Sequence, residues 1–218
     1  MKNLLKVYYN LYKTCKKSDT SFFKVAFREI LYRVLYKKSF LLHQNVTIHG
    51  IKNIELPGKL NVGIDYFGFI HKTDKTYLNV NGKLKLNGDY SIGRGCRFDI
   101  GTGAIVSIGK GGYIAANTTL IIMHGLTIRD NCAISWDCQF LDEDFHEINY
   151  AGKKSHGKSI VIGNNVWIGC GVKIYKGTVI PDNCVIASNS IVKGKFNIEN
   201  CLIGGNPATI IKENIEWK

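Results

Sequence analysis

The chain has 218 residues, of which 45% are hydrophobic, so it can bury a substantial core and does not have the composition of a disordered protein. No run of 18 apolar residues occurs, and lysines interrupt the N-terminal stretch where a signal peptide would have its apolar core, so we expect a cytoplasmic protein. The formal net charge is +12, but no nucleic-acid-binding motif accompanies it, and nucleic acid is therefore not expected as a partner.

The first predicted segment, residues 1–45, is basic and amphipathic. Residues 1–42 contain ten Lys or Arg and two Asp or Glu, which gives 10 − 2 = +8 of the total charge. Apolar residues recur at helical spacing around a candidate N-cap at Ser18, Asp19 or Ser21, so the pattern predicts two helices. The apolar positions of the second helix are Phe23, Phe27, Ile30, Leu31, Val34 and Leu35. Their apolar face could cover the end of the following domain or a neighbouring subunit, or it could adsorb to the inner face of an anionic membrane.

A six-residue repeat dominates the second segment, residues 46–205. Stepping by six from residue 162 gives an unbroken β-branched series: Ile162, Ile168, Ile174, Ile180, Ile186 and Val192. This period fits neither an α-helix nor a hairpin sheet. It fits a coil of three short strands with about 18 residues per turn, in which every sixth side chain points to the axis.

Stacking of inward side chains follows from this coil. Ile162 would lie under Ile180, and Ile168 under Ile186, with Gly and Asn at the corners, where positive φ angles are needed. The chain contains seven cysteines without metal-ligand spacing, and four of them fall at inward positions, where we expect small buried thiols in a reducing compartment. Those four are Cys96, Cys132, Cys138 and Cys184.

The hexad frame fails between Phe140 and Ile162, so we predict a loop extruded from the coil at about residues 141–159. It contains the segment DEDFHEI at 142–148, which surrounds His146 with carboxylates and an aromatic ring. An imidazole, with an unperturbed pKa of about 6.5, can act as a general base at neutral pH. His146 is therefore the candidate catalytic residue.

Three segments together resemble the hexapeptide-repeat acyltransferases, and in particular the O-acetyltransferases of sugars and surface glycans. They are DEDFHEI at 142–148, IVIGNNVWIGCGVKI at 160–174 and GGNPATIIK at 204–212. The resemblance implies an all-β, left-handed parallel β-helix with an N-terminal α-helical extension and a short C-terminal tail at 206–218. The implied reaction is transfer of an acetyl group from acetyl-CoA to a sugar hydroxyl of a cell-surface polysaccharide or its precursor.

The resemblance also implies residue roles in direct transfer without an acyl-enzyme. His146 would be the general base, and Asp144 or Glu147 would orient its ring. The Trp167 indole N–H, or a backbone amide near Gly169, would stabilise the oxyanion that forms at the thioester carbonyl.

The same resemblance assigns the two substrates. The pantetheine arm of coenzyme A would lie along the coil near Gly169, Cys170 and Ser188. Candidates for its phosphates are Lys193, Lys195 and Lys212, and candidates for the acceptor pocket are Asn117, Trp136 and Asp142. Family members are usually homotrimers with active sites between subunits, and no metal is implied.

Three other functions stay open. N-acylation of an amino sugar would use the same base. A zinc carbonic anhydrase on the same coil needs three converging histidines, for which His124, His146 and His156 are available. A non-catalytic β-helix scaffold is the third.

Overall fold

The structure, a computed structural model, describes residues 2–65, 68–151 and 158–217, without the side chains of residues 2–5. It begins with two helices, α1 (Lys2–Lys17) and α2 (Phe22–Tyr36), which confirm the predicted helical extension. Ser21 caps α2, because its hydroxyl accepts a hydrogen bond from the amide of Lys24 at 3.4 Å. Neither of the described helices is long and apolar enough to cross a membrane.

The other described elements are a 3-10 turn at Ile51–Asn53 and short strands, numbered in chain order, that form three sheets. The first sheet has the order β1 (Ser39–Leu42), β4 (Lys59–Val62), β7 (Tyr90–Ile92), β10 (Tyr113–Ile114), β13 (Ala133–Ile134), β16 (Trp167–Ile168), β19 (Val185–Ile186), β21 (Leu202–Gly205) and β22 (Ala208–Lys212). The second has the order β2 (Val46–His49), β5 (Thr76–Val80), β8 (Arg97–Ile100), β11 (Thr119–Ile122), β14 (Gln139–Leu141), β17 (Lys173–Tyr175) and β20 (Ile191–Val192). The third has the order β18 (Val179–Ile180), β15 (Ile160–Ile162), β12 (Gly125–Ile128), β9 (Ile105–Ile108), β6 (Lys83–Leu86) and β3 (Ile54–Glu55). Pairing within the sheets is parallel except between β21 and β22, so the chain winds as a three-sided parallel β-helix. The prism is this β-helix without the N-terminal helices.

The strand registers confirm the predicted stacking of inward residues. Ile162 pairs with Ile180 and Ile168 with Ile186, each 18 positions on, and all four side chains are buried. An earlier pair of strands, β8 and β11, is offset by 22 positions, so the first coils are longer than the repeat alone indicates. The additional residues lie at corners, and the inward side chains stay aligned.

Asparagine and glycine occupy corners, as predicted. Asn165, Gly171 and Asn183 have φ angles of 52°, 68° and 59°, and Nδ2 of Asn165 donates to Oδ1 of Asn183 at 3.0 Å. Gly163 is required for a different reason, because a Cβ there would lie 2.4 Å from Oδ1 of Asp182. Close stacking of adjacent coils explains this glycine.

The N-terminal helices pack against the first coil. This coil starts at Ser39, inside the segment predicted as 1–45. The guanidinium of Arg94, a residue only 2% exposed, donates to the backbone carbonyls of Ser18 at 2.6 Å, His71 at 3.1 Å and Gly63 at 3.2 Å. A buried guanidinium needs acceptors for its N–H groups, so these carbonyls fix the start of α2 against the prism.

Helix α2 turns a different face to the prism from the one that the sequence pattern predicts. Val25 and Glu29 are buried, and the rings of Tyr32 and Phe40 lie 5.7 Å apart, edge to face. Arg28 holds this orientation by donating to two backbone carbonyls at the first corner. The predicted apolar positions, Phe23, Phe27, Ile30, Leu31, Val34 and Leu35, point the other way and are exposed. Of the three surfaces considered for these positions, the end of the prism is therefore excluded, and a neighbouring subunit or a membrane is left.

His43 gives the folding stability a pH dependence. The residue is fully buried, and this burial, assisted by the charge of Arg94, lowers the pKa of its imidazole from 6.5 to about 4. Between these two values the unfolded chain binds the proton and the folded chain does not, so stability falls as the pH falls from 6.5 to 4. We expect a loss of about 3 kcal/mol over this window, measured by urea unfolding at a series of pH values.

The variant His43→Leu serves as the control, because it removes the titrating group. Subtracting its profile from that of the wild type removes the contribution of carboxylates that titrate in the same range. Parallel profiles for the two proteins would contradict the assignment to His43.

Candidate active site

The predicted histidine loop leaves the prism directly after β14, at the corner between the second and third sheets. Asp142 is fully buried, and its carboxylate accepts hydrogen bonds from the amides of Met123 at 2.6 Å, His124 at 2.8 Å and Gly125 at 2.7 Å. A buried carboxylate satisfied by three amides anchors the start of the loop to the preceding coil. The sequence comparison implies an acceptor-binding role for Asp142, but these contacts give it a structural one and leave no surface exposed to a sugar.

Glu143 forms a second anchor. Its Oε2 lies 2.7 Å from Nε2 of His124 and accepts a hydrogen bond from Nζ of Lys158 at 2.8 Å. The hydrogen bonds from Lys158 and then from His124 lower the pKa of Glu143 to about 2, so the carboxylate is ionised at neutral pH and Nε2 of His124 carries the proton of the bond. Because Lys158 lies just before β15, Glu143 ties the outgoing and returning ends of the loop together.

Asp144 is paired with Lys176 of the following coil and not with the catalytic candidate. His146 and Glu147 are both exposed, and within the described residues neither Asp144 nor Glu147 hydrogen-bonds to the imidazole. Of the two residues predicted to orient the ring, Asp144 already has an ion-pair partner, and Glu147 has none among the described residues. The two ends of the loop are thus held by hydrogen bonds and ion pairs, while the His146 imidazole is exposed.

Trp167 projects from β16 on the first sheet and is 43% exposed. Its indole N–H donates to the hydroxyl of Ser135 at 3.2 Å. The alternative oxyanion donor, the amide of Gly169, is already bonded to the carbonyl of Ile186 at 2.9 Å in the strand ladder. A hydroxyl can rotate away from its donor whereas a ladder carbonyl cannot, so the Trp167 indole is the donor that a substrate could use.

The C-terminal tail adds an aromatic residue that the sequence analysis does not identify. Trp217 lies with its ring centroid 6.1 Å from that of Trp167, and its indole N–H donates to the carbonyl of Asn165 at 2.9 Å. The tail therefore folds back over the coil and restricts one side of the Trp167 ring. Its only sequence signal is a single aromatic residue after the last strand.

Residues predicted to contact the two substrates share the corner between the first and second sheets. Sγ of Cys170 lies 3.3 Å from Oγ of Ser188 in the next coil, and both side chains are accessible. Asn117 occupies this corner with a φ angle of 60°, and the ring of Trp136 lies 5.5 Å from that of Phe69. The structure thus brings Asn117, Trp136, Cys170 and Ser188 to one edge of the prism.

The predicted phosphate-binding lysines lie at the C-terminal end of the β-helix. Lys193 follows β20, Lys195 forms a bridge with Val179 on the third sheet, and Lys212 ends β22. All three lysines are exposed. They lie in the last coil and its exit, beyond the level of Cys170.

The loop and the residues around Trp167 belong to different corners of one chain. At this level the strand of the second sheet, β14, runs from a corner near Asp137 to a corner near Asp142. Five steps of about 3.3 Å therefore separate the two corners by roughly 16 Å. No contact between described residues joins His146 to Trp167. Within the described part of one chain, His146 and Trp167 therefore do not form a common site.

Comparison with known proteins agrees with the repeat. The family model described as bacterial transferase hexapeptide (six repeats) matches residues 159–194. A 24.8 kDa protein in the cps region of Klebsiella pneumoniae is 39% identical over 206 residues, which cover 94% of this chain and 92% of that protein. The chain belongs to the hexapeptide-repeat transferases.

Two further proteins that are similar to this chain have names that state an activity. The polysialic acid O-acetyltransferase of Neisseria meningitidis is 35% identical over 142 residues, which cover 64% of this chain and 60% of that protein. The solved structure of the polysialic acid O-acetyltransferase OatWY is 25% identical, with a TM-score of 0.57 over 80% of this chain and 88% of that one. The predicted fold, a left-handed parallel β-helix with N-terminal helices, is confirmed.

The residues that hold the loop of this transferase are not marked by any pattern in the sequence. They are His124, Glu143, Lys158 and Lys176. Each contact joins side chains 15 to 32 positions apart, on different coils or at opposite ends of the loop, so no local motif marks them. His156, one of the three histidines considered for zinc, lies outside the described residues.

The clamp at Glu143 predicts a change in loop dynamics. In Glu143→Gln the ionic contact to Lys158 is lost, so we expect faster amide hydrogen exchange in residues 143–151 with little change in the melting temperature of the coil. Because the pKa of Glu143 is lowered, the clamp should hold above pH 4.5 and weaken as the pH falls toward 2. The matched control is Glu147→Gln, which removes a loop carboxylate without a described partner. Equal exchange in both variants would show that Glu143 does not hold the loop.

Proposed function

We propose that this protein is an acetyl-CoA-dependent O-acetyltransferase that modifies a sugar hydroxyl of a cell-surface polysaccharide or its precursor. The observation that carries the proposal is an accessible imidazole on a clamped loop of a hexapeptide-repeat transferase. The relatives named as polysialic acid O-acetyltransferases support a glycan hydroxyl as the acceptor.

His146 acts as the general base in this proposal. Its imidazole removes the proton from the acceptor hydroxyl as the oxygen attacks the thioester carbonyl. The carbon–sulfur bond then breaks, and the imidazolium returns the proton to the departing thiolate, which leaves free coenzyme A and a sugar ester. One group serves both proton transfers, so an acyl-enzyme is not required.

The Trp167 indole stabilises the negative charge that develops on the carbonyl oxygen. Ser135 holds the N–H in position before substrate binds, and the carbonyl oxygen then replaces the hydroxyl as its acceptor. Trp217 supports the ring from the tail. Because the indole N–H is already held in place, it needs little reorganisation during the reaction.

Acetyl-CoA extends along the corner that contains Cys170 and Ser188. Its phosphates point toward Lys193, Lys195 and Lys212. Positive side chains at the end of the coil complement a ligand with several phosphates. Asn117 and Trp136 then flank the acceptor at the same edge. The exposed amide and indole of these two residues suit the polar edges and apolar faces of a sugar.

The active protein is a homotrimer in this proposal. His146 and Trp167 lie at different corners of one chain, so a second subunit is needed to bring them to one carbonyl. A cyclic arrangement of prisms sets the loop of one chain beside the first sheet of its neighbour three times over. We place this trimer in the cytoplasm, a reducing compartment in which its seven cysteines stay as free thiols.

Replacement of His146 tests the base. His146→Ala should lower the turnover number by about 10²–10⁴-fold and leave the dissociation constant of coenzyme A unchanged, measured by thioester consumption and by calorimetry. The control is His49→Ala, a second exposed histidine, on the second strand. Alkali should release the product acetyl group, since esters are cleaved and amides survive. Full turnover in His146→Ala would reject the assigned role.

Mixing two inactive variants tests the shared site. His146→Ala and Trp167→Ala should each be inactive alone, but coexpression should restore about one quarter of the sites, because one loop and one indole come from different chains. If every site lay within one chain, the mixture would stay inactive. The restored activity is measured against each variant at equal total protein.

Cys170 reports on the donor site. It is accessible while the other six cysteines are buried, so alkylation of the folded protein should modify this one thiol. Coenzyme A at ten times its dissociation constant should slow the modification about tenfold, measured by mass spectrometry. An unchanged rate at a concentration where binding is detected would remove Cys170 from the proposed donor site.

A further inference from the structure

Helix α2 carries an apolar stripe on the side that faces away from the prism. We define the stripe as Phe23, Phe27, Ile30, Leu31, Val34 and Leu35, which are exposed by 37% to 81%. These positions repeat at intervals of three and four residues, so they form one continuous face opposite the buried Val25 and Glu29. Contiguous apolar surfaces of this kind mark places where another body binds.

The charges around the stripe identify the sign of its partner. Exposed lysines of the two helices and of the residue that caps α2 are Lys6, Lys13, Lys16, Lys17, Lys24 and Lys37. Of the two acidic residues in the first 42 positions, Asp19 is exposed in the turn between the helices, whereas Glu29 faces the prism and is paired with Arg33. With six exposed lysines against one exposed carboxylate among the described side chains, the solvent side of the helical segment is apolar with a net basic border, and it complements a surface that is both apolar and anionic.

We propose that the apolar stripe binds the surface of an anionic membrane. This inference goes beyond the transfer reaction and does not depend on it. A second copy of the chain is a poorer occupant, because contact through the stripe would bring two segments of charge +8 together. An anionic lipid surface attracts the same lysines and accepts the same apolar side chains.

The length of α2 defines how it binds. Its 15 residues extend about 22 Å at 1.5 Å per residue, which is less than the hydrocarbon thickness of a bilayer. The buried face stays on β1, held by Arg28 and by the contact between Tyr32 and Phe40. The helix therefore lies in the plane of the interface with the phenylalanines inserted, while the prism projects into the solvent.

Vesicle flotation of the full chain tests the proposal. Wild-type protein should float with vesicles of phosphatidylcholine containing phosphatidylglycerol and not with pure phosphatidylcholine, and high salt should weaken the binding. The variant Phe23→Ser/Phe27→Ser should lose about tenfold or more of its partition coefficient. Both side chains are exposed, so the variant should keep the circular dichroism spectrum of the wild type.

The matched control is Ile198→Ser/Ile211→Ser, which changes two exposed aliphatic residues near the other end of the chain and should float like the wild type. Equal flotation of the stripe variant and the wild type, or no flotation at all, would overturn the proposal. A lower oligomeric mass for the stripe variant by light scattering, with no vesicle binding by the wild type, would assign the stripe to a second copy instead.

Discussion

The fit of each inward aliphatic side chain onto the one in the coil below is the constraint on which the rest of the molecule depends. Ile162 under Ile180, and Ile168 under Ile186, fix the register of parallel strands at every level. Outward side chains are aligned in the same register, because successive residues of a strand point to opposite faces. Cys170 therefore meets Ser188 without any dedicated loop to position either residue. A stiff coil can hold two substrates in a fixed relation, and positioning of this kind supplies much of the rate in a direct transfer.

The same constraint determines where the chain can be interrupted. β12 and β15 are offset by 34 positions where a regular turn needs 18, so 34 − 18 = 16 residues are added, and the alignment of the inward side chains is unchanged. Where the loop departs, the continuing backbone is no longer there to accept from the amides of residues 123–125. The carboxylate of Asp142 takes its place. The first residue of the acidic segment thus compensates the backbone for the insertion that carries the histidine.

The sequence predicts those features that recur with the period of the coil. Inward isoleucines and cysteines, asparagine corners and the start of the loop all repeat or fail to repeat at a fixed spacing, and the structure agrees with them. The four inward cysteines are buried, and burial raises the pKa of the Cys96 and Cys138 thiols to about 12. Long-range contacts have no such period. The contact of Glu143 with His124 and Lys158 depends on how many residues each corner adds, and a hexad pattern does not contain that number.

Helix α2 shows a second limit of prediction from sequence. Both of its faces contain apolar residues, and the larger apolar face is the exposed one, because Arg28, Tyr32 and Glu29 fit the first coil through hydrogen bonds and ring contacts. Hydrophobic spacing indicates that a helix has an apolar face. It does not indicate which surface covers that face.

The distribution of charge allows the two basic regions to act separately. Residues 1–42 hold +8, and the remaining 12 − 8 = +4 belongs to the rest of the chain, where Lys193, Lys195 and Lys212 lie at the last coil and its exit. From β1 to β21 the first sheet has seven inter-strand spacings of about 4.8 Å, or roughly 34 Å. The Debye length at physiological ionic strength is about 8 Å. Charges at the helical end are therefore screened from a phosphate at the far end, so a lipid surface bound to α2 would neither attract nor repel acetyl-CoA.

The coil at the level of Trp167 is five spacings, or about 24 Å, from β1. An acceptor attached to the same membrane would need a linker or glycan of about that length to reach it.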